Sequence, residues 1–172
     1  CTITHSAAST DLAYDAIAVA SVTGDITDND IAVTDLLTNG DFASGVVTPW
    51  FLYGQITSRV SSGVFEFVRP AGAPAGVIAQ NTGQTVPAND IVSSTFQLGN
   101  SSNVRKRVTV LMHDSNFTDL TACTFWLPAF AGLQTYTMRA YASQAWSNAS
   151  LSVYPATVGT EQWMRLDGVS ML

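Results

Sequence analysis

Residues 91–98 read IVSSTFQL and residues 107–113 read RVTVLMH, and in both stretches apolar and polar side chains alternate. The apolar set of each stretch falls on one side of an extended chain: Val92, Phe96 and Leu98 in the first, Val108, Val110 and Met112 in the second. A period of two is typical of a β-strand with one buried face. The polar segment GNSSNVRK at 99–106 separates the two stretches and predicts a turn between two half-buried strands.

Runs of the same kind recur from residue 46 onward, with turn-forming residues between them and hardly any helical periodicity. This pattern predicts an all-β, antiparallel β-sandwich. The ten predicted strands are PWFLYG (49–54), QITSRV (55–60), GVFEFV (63–68), VIAQN (77–81), DIVSSTFQL (90–98), RVTVLMH (107–113), ACTFWL (122–127), TYTMRAY (135–141), NASLSVY (148–154) and WMRLDGVSML (163–172).

The first 36 residues differ from the rest, and we predict an N-terminal extension (1–36) joined to a sandwich (37–172). The polar start, 1–10, is typical of a tether, and GDITDND at 24–30 of a turn. The apolar stretch LAYDAIAVASV at 12–22 is ambiguous between helix and strand, but Ile17, Val19 and Val22 favour a strand. A further strand is predicted at 31–37.

Charge and cysteine content limit the partners. The net charge of −6 comes entirely from residues 1–36, whereas the body holds seven acids and seven bases. This balance argues against nucleic acid as a partner, and no apolar run is long enough to span a membrane. The chain begins at Cys1 rather than Met, which is typical of a processed or trimmed chain. Cys1 and Cys123 are candidates for a disulfide within or between chains, with a lipid-bearing Cys1 or two idle thiols as alternatives.

Catalytic motifs are scarce, and we predict a protein that is not an enzyme. The two histidines are His5, in the tether, and His113, at a strand end. Asp114 is adjacent to His113 and therefore points to the opposite face of an extended strand. Nucleophile-elbow, zinc-protease and phosphate-loop motifs do not occur in the sequence.

Two stretches at the ends of the body carry a resemblance. LLTNGDFASG at 36–45, followed by Trp50, and the closing WMRLDGVSML resemble the first and last strands of jelly-roll domains of the carbohydrate-binding-module, galactose-binding-like type. Residues 98–127, with TYTMRAYASQAWSNASLSVY at 135–154 behind them, resemble a module of large secreted bacterial surface proteins. The resemblance implies a jelly roll and, near its first and last strands, a structural calcium held by Asp41 and Asp167. Ala43 stands where such domains commonly have an acidic residue, so one oxygen donor is missing.

Two functions follow, and both place the protein outside the cell or at its surface. The first is a self-assembling subunit of a filament or layer, in which the strand at Ile17, Val19 and Val22 completes a neighbouring copy's sheet and the acidic extension meets the basic patch. The patch consists of Arg105, Lys106 and Arg107. The alternative is a carbohydrate-binding module that stacks a polysaccharide on exposed aromatic rings. The candidates for such rings are Trp126, Tyr141 and Trp146, with Trp126 expected to face away from the core.

Overall fold

A computed structural model describes residues 2–3, 6, 8–16, 18, 20–24, 34–156 and 163–172. The chain divides into two compact units, Cys1–Val33 and Thr34–Leu172. The first contains two short antiparallel strands, β1 (Thr2–Ile3) and β2 (Val22–Thr23). None of the described residues belongs to a helix long and apolar enough to cross a membrane.

The second unit is an antiparallel sandwich of two five-stranded sheets. Its strands are β3 (Phe51–Gly54), β4 (Thr57–Ser61), β5 (Val64–Val68), β6 (Gly76–Asn81), β7 (Ile91–Asn100), β8 (Lys106–Asp114), β9 (Leu120–Leu127), β10 (Gln134–Tyr141), β11 (Ala149–Pro155) and β12 (Met164–Met171). Sheet 1 has the order β10-β7-β12-β5-β4 and sheet 2 the order β3-β6-β11-β8-β9. The predicted fold class, an all-β jelly-roll sandwich, is confirmed, and each of the ten predicted strands is present within a few residues of its expected limits.

The core lies between the sheets and is filled by the side chains that the alternation assigns to it. Val92, Phe96 and Leu98 of β7 are buried, as are Val108, Val110 and Met112 of β8. Aromatic rings fill the end of the core under the turn at residues 39–42, where the Phe42 ring stacks on that of Phe65 with 5.2 Å between centroids and lies 5.8 Å from that of Trp50. Replacing a ring of this kind with alanine typically costs about 3–5 kcal/mol.

The NGDF segment joins the beginning of the body to its end. Gly40 lies against the last strand so closely that a Cβ there would overlap the Val169 carbonyl. Asn39 adopts a φ of 52° and donates from Nδ2 to the carbonyls of Val46 and Thr48, both at 2.9 Å. This part of the sequence therefore ties the first turn of the body to its last strand.

Two strand predictions about the start of the chain are wrong for the residues that the structure describes. Residues 12–16 form turns, with the Tyr14 N–H donating to the Asp11 carbonyl at 2.9 Å. Among the described residues of the strand predicted over 12–22, Val22 alone lies in a strand, and Ile17 and Val19 lie outside the described residues. Of the strand predicted over 31–37, residues 31–33 lie outside the described residues, and residues 34–37 are irregular. The Asp35 carboxylate accepts the Met171 N–H at 2.9 Å, which ties this segment to the last strand. In each place an aspartate carboxylate accepts a backbone N–H two residues further on, from Ala13 to Asp11 at 3.0 Å and from Leu37 to Asp35 at 2.9 Å, and such local bonds compete with a sheet ladder.

Candidate functional site

The outer face of sheet 2, which points away from the core, carries a cavity of about 350 Å³. Four strands and the loop between β8 and β9 supply its walls. The lining residues are Phe51, Tyr53, Val77, Ala79, Asn81, His113, Ser115, Phe117, Ser152 and Tyr154. We call this cavity and its ten residues the groove.

Strand register explains why small residues lie at the bottom of the groove and rings at its sides. Ser152 of β11 pairs with Ala79 of β6, and Ala79 pairs with Phe51 of the edge strand β3. Tyr53 follows Phe51 by two residues and therefore points the same way. Both rings are accessible, with 44% of Phe51 and 73% of Tyr53 exposed.

Phe117 closes the opposite side from a tight turn. It has a left-handed backbone, with φ of 60°, and the turn is held by Asn116 Oδ1, which accepts the N–H and the hydroxyl of Thr118 at 2.8 and 2.6 Å. The ring of Phe117 stacks on His113 with 4.0 Å between centroids and 17° between planes. A bulky residue at positive φ is strained, and here the strained turn places a half-exposed ring beside the groove.

His113 is buried under Phe117 and hydrogen-bonded through both ring nitrogens. Nδ1 lies 2.8 Å from the Asp114 carbonyl and Nε2 lies 2.7 Å from Ser152 Oγ. A carbonyl can only accept, so Nδ1 carries the proton, and in the neutral ring Nε2 accepts from the Ser152 hydroxyl. Burial lowers the pKa of His113, and hydrogen bonding and the nearby charge at Asp114 offset part of that shift.

Ser152 and His113 resemble a nucleophile and its base, but the carboxylates of Asp114 and Glu66 do not orient the histidine and are bound to other groups. Asp114 Oδ1 accepts the Ser147 and Asn148 N–H groups, both at 3.1 Å, and so anchors the loop between β10 and β11. Glu66 lies on sheet 1, paired with Arg59 and Arg165. What the groove offers is apolar rings beside hydroxyl and amide groups, a combination suited to the C–H faces and hydroxyls of a sugar.

The structure does not bring the three predicted glycan-binding rings together. Trp126 lies on the outer face of sheet 2 and is 49% exposed, in agreement with the predicted facing. Tyr141 is exposed on sheet 1 and donates to Asn89 Oδ1 at 2.6 Å. The prediction that Trp146 stacks a sugar is wrong. Only 1% of the residue is exposed, because it packs in the core and its indole N–H donates to Asp119 Oδ2 at 3.0 Å.

The basic patch also differs from the prediction at one of its three positions. Arg105 and Arg107 are exposed, but Lys106 is 1% exposed. Lys106 pairs with Leu127 on the inward side of β8, so strand alternation turns it away from solvent, and desolvation lowers its pKa. Lys106 is therefore not a surface contact for another copy.

The remaining assembly and disulfide residues lie mostly in the extension. Ile17 and Val19 are outside the described residues, and Val22 pairs with Ile3. Cys123 is an exposed free thiol on β9, and Cys1 is outside the described residues, so a disulfide between them stays a prediction.

Asp41 and Asp167 are neighbours, as the calcium prediction requires. Burial raises the pKa of Asp167, and the negative charge of Asp41 raises it further. Each carboxylate accepts one nearby backbone N–H, from Ala43 at 3.1 Å and from Gly168 at 2.8 Å. In the part of the chain that the structure describes, no three His, Cys, Asp or Glu side chains come together as a metal site. Calcium takes six to eight oxygens, so carbonyls or water would have to complete this pair, and calcium stays a prediction.

Comparison with known proteins gives the fold class. No protein-family model matches the sequence, and the search of curated proteins gives no match. Among solved structures, TmCBM61 in complex with β-1,4-galactotriose is similar with a TM-score of 0.59 and 11% identity, over 81% of this chain and 99% of that one. The CBM22-1 xylan-binding domain of Paenibacillus barcinonensis Xyn10C matches with a TM-score of 0.58 and 14% identity, over 80% and 93%.

One similar structure is described as an enzymatically active domain. It is tailspike protein 4 of bacteriophage CBA120, with a TM-score of 0.57 and 15% identity, over 80% of this chain but 21% of that one. At such identities the likeness shows the fold. Residues 34–172 thus form a jelly roll like those of carbohydrate-binding modules, which confirms the resemblance seen in the sequence.

Proposed function

We propose that the protein is a non-catalytic carbohydrate-binding module that holds a polysaccharide in the groove on the outer face of sheet 2. The observation that carries the proposal is the placement of Tyr53 and Phe117 on opposite sides of a bottom made of small residues, Ala79 and Ser152. Apolar rings in this arrangement cover the C–H surface of a pyranose, which is how proteins commonly hold sugars.

Polar groups in the groove supply the orientation that rings alone do not give. Ser152 uses its proton on His113 and keeps its lone pairs for a sugar hydroxyl. Asn81 adds an amide, whose oxygen accepts from the Ser150 hydroxyl at 2.9 Å. Four similar structures, described as carbohydrate-binding modules of families 61, 4, 22 and 29, support the proposal by their fold. With a polysaccharide as its partner, the protein would act outside the cell or at its surface.

Affinity gel electrophoresis in polyacrylamide that contains a soluble polysaccharide tests the proposal. We expect wild type to be retarded by at least one of galactan, xylan, glucomannan and polygalacturonate. Tyr53→Ala and Phe117→Ala should each weaken binding roughly tenfold or more, the size of a central contact in an interface. The matched control is Tyr141→Ala, which removes an exposed tyrosine from sheet 1.

Two results would overturn the proposal. One is that neither these four polymers nor alginate retards wild type. The other is that Tyr141→Ala loses retardation while Tyr53→Ala and Phe117→Ala keep it, which would move binding to the other sheet.

Self-assembly into a filament stays a second hypothesis with less support. The proposed donor segment includes Val22, which is already paired with Ile3 in its own unit. Size-exclusion chromatography of the whole chain and of residues 37–172 separates the two hypotheses. Polymers that become monomers on deletion would support assembly, whereas a monomeric whole chain at high concentration would end it.

A further inference from the structure

Two arginines lie over one exposed tryptophan at the far edge of the groove's sheet. The guanidinium carbon of Arg105 is 4.2 Å from the centre of the Trp126 ring, and that of Arg107 is 5.5 Å from it. All three side chains are exposed. We call these three residues the Arg-Trp cluster.

Strand alternation places the cluster on the same face as the groove. Arg107 pairs with Trp126, and two residues along each strand Thr109 pairs with Thr124. Thr109 also pairs with Tyr154, which lines the groove. Tyr154 and Trp126 are therefore two strands apart, about 10 Å across the sheet at a strand spacing of ~4.8 Å. An extended ligand that fills the groove can reach the cluster without leaving the sheet.

The chemistry of the cluster favours an anion. The two ion pairs between described residues both involve Glu66, with Arg59 and Arg165, so neither engages Arg105. A guanidinium that lies over an aromatic ring still presents its N–H donors to a carboxylate, for which its fork geometry is suited. The indole adds a flat apolar surface for the C–H face of a sugar.

We propose that the Arg-Trp cluster binds the carboxylate of an acidic sugar, so that the polysaccharide held in the groove contains uronic acid. This inference rests on the proposed function and goes beyond it, since a neutral glycan would satisfy the groove alone. Trp126 acts as the platform and Arg105 as the carboxylate donor, while Arg107 lies over the same ring and adds positive charge.

Matched pairs of polymers test the carboxylate directly. The probes are polygalacturonate and alginate, each compared with its esterified form, in which the backbone is kept and the charge is removed. Binding of the whole chain is measured by affinity electrophoresis and by isothermal titration calorimetry. We expect at least one acidic polymer to bind tenfold or more tightly than its ester, and added salt to weaken that binding because exposed charges are screened.

Variants assign the effect to the cluster. The double variant Arg105→Gln/Arg107→Gln should lose about tenfold in affinity for the acidic polymer and little for its ester. Arg105→Lys/Arg107→Lys should recover part of the loss, since it keeps charge without the planar fork. The control Arg139→Gln removes an exposed arginine from β10 on sheet 1 and should change nothing.

The outcomes separate this inference from the proposed function. If a neutral or esterified polymer binds equally well and Tyr53→Ala abolishes that binding, the groove holds glycan and the acidic-sugar inference is wrong. If the double variant behaves like Arg139→Gln, the inference is also wrong. A third result against the inference is a double variant that keeps its affinity but changes the elution volume of the whole chain in size-exclusion chromatography. In that case the inference is wrong, and the cluster contacts the acidic extension of another copy instead. If no polymer binds, both proposals fail.

Discussion

The ring of Phe117 covers that of His113, with centroids 4.0 Å apart and nearly parallel planes. One face of the Phe117 ring borders the groove, and the other keeps water from an imidazole whose pKa burial has lowered. The serine at the bottom of the groove is held by that imidazole at 2.7 Å. Ring stacking, protonation and the orientation of the Ser152 hydroxyl are therefore coupled.

Removing the cover should release the histidine. In Phe117→Ala we expect the pKa of His113 to rise toward its ordinary value of 6.5, because water regains access to the ring. The measurement is an NMR titration of the imidazole protons. Phe130→Ala is the matched control, since Phe130 is also an exposed ring at positive φ, 56°, in another loop. An unchanged pKa in Phe117→Ala would show that stacking does not govern the desolvation.

The same histidine should make stability depend on pH. Its folded pKa lies below the unfolded value, so its contribution is fully present above about pH 6.5 and is lost as pH falls through the folded pKa. We expect Tm to fall over this range in wild type and to fall less in His113→Gln, which cannot take up the proton. Thermal denaturation between pH 7.5 and 4.5 checks this. Parallel curves for the two proteins would contradict it.

Asp119 should stabilise the loop between β10 and β11 from outside. Its Oδ2 accepts the Trp146 indole N–H at 3.0 Å and the Ser143 N–H at 2.7 Å, and the bond from Trp146 is the main cause of its lowered pKa. We expect Asp119→Asn to lower Tm at pH 7 by several degrees, with the difference from wild type shrinking as pH falls below 3.8. Asp90→Asn, an exposed aspartate near the same loop, is the control. Equal Tm values for the two variants would contradict this role.

Asp167 is expected to behave in the opposite sense. Burial and the charge of Asp41 raise its folded pKa, so its contribution to stability is present below the ordinary value of 3.8 and is lost as pH rises through the folded pKa. Without calcium, Asp167→Asn should raise Tm at pH 7. If the predicted calcium binds here, added Ca²⁺ should raise Tm in wild type but not in the variant. Equal Ca²⁺ effects in both would rule out this site.

The sandwich could be predicted from the sequence because apolar and polar residues alternate along its strands, and this alternation shows which face of a strand is buried. Alternation assigned Trp126 to the outside correctly and, applied to the basic patch, also accounts for the inward turn of Lys106. Trp146 lies outside the strands, so alternation gives no prediction of its burial. It lies in a loop, and its burial depends on a bridge to Val86 and a hydrogen bond to Asp119, neither of which is local in sequence.

The groove was missed for a related reason. Alternation in FLYG places Phe51 and Tyr53 on one face of the strand. All four residues of this edge strand are exposed, however, so neither face is marked as the one that points toward the core. Phe117 lies in a turn with no periodicity at all, and the contact that brings it to the groove is with His113. The sequence therefore predicted the strands and two exposed rings, Trp126 and Tyr141, while the assembly of the groove depends on strand register and on a loop.

Binding of a glycan to the outer face of sheet 2 is tested most directly by amide chemical shifts on titration with an oligosaccharide of the tightest-binding polymer. Binding in the groove predicts saturable shifts at Tyr53, Phe117 and Ser152, with Thr137 and Arg139 of β10 unaffected. Shifts confined to β10 and its neighbours in sheet 1, or no saturable shifts anywhere, would contradict glycan binding in the groove.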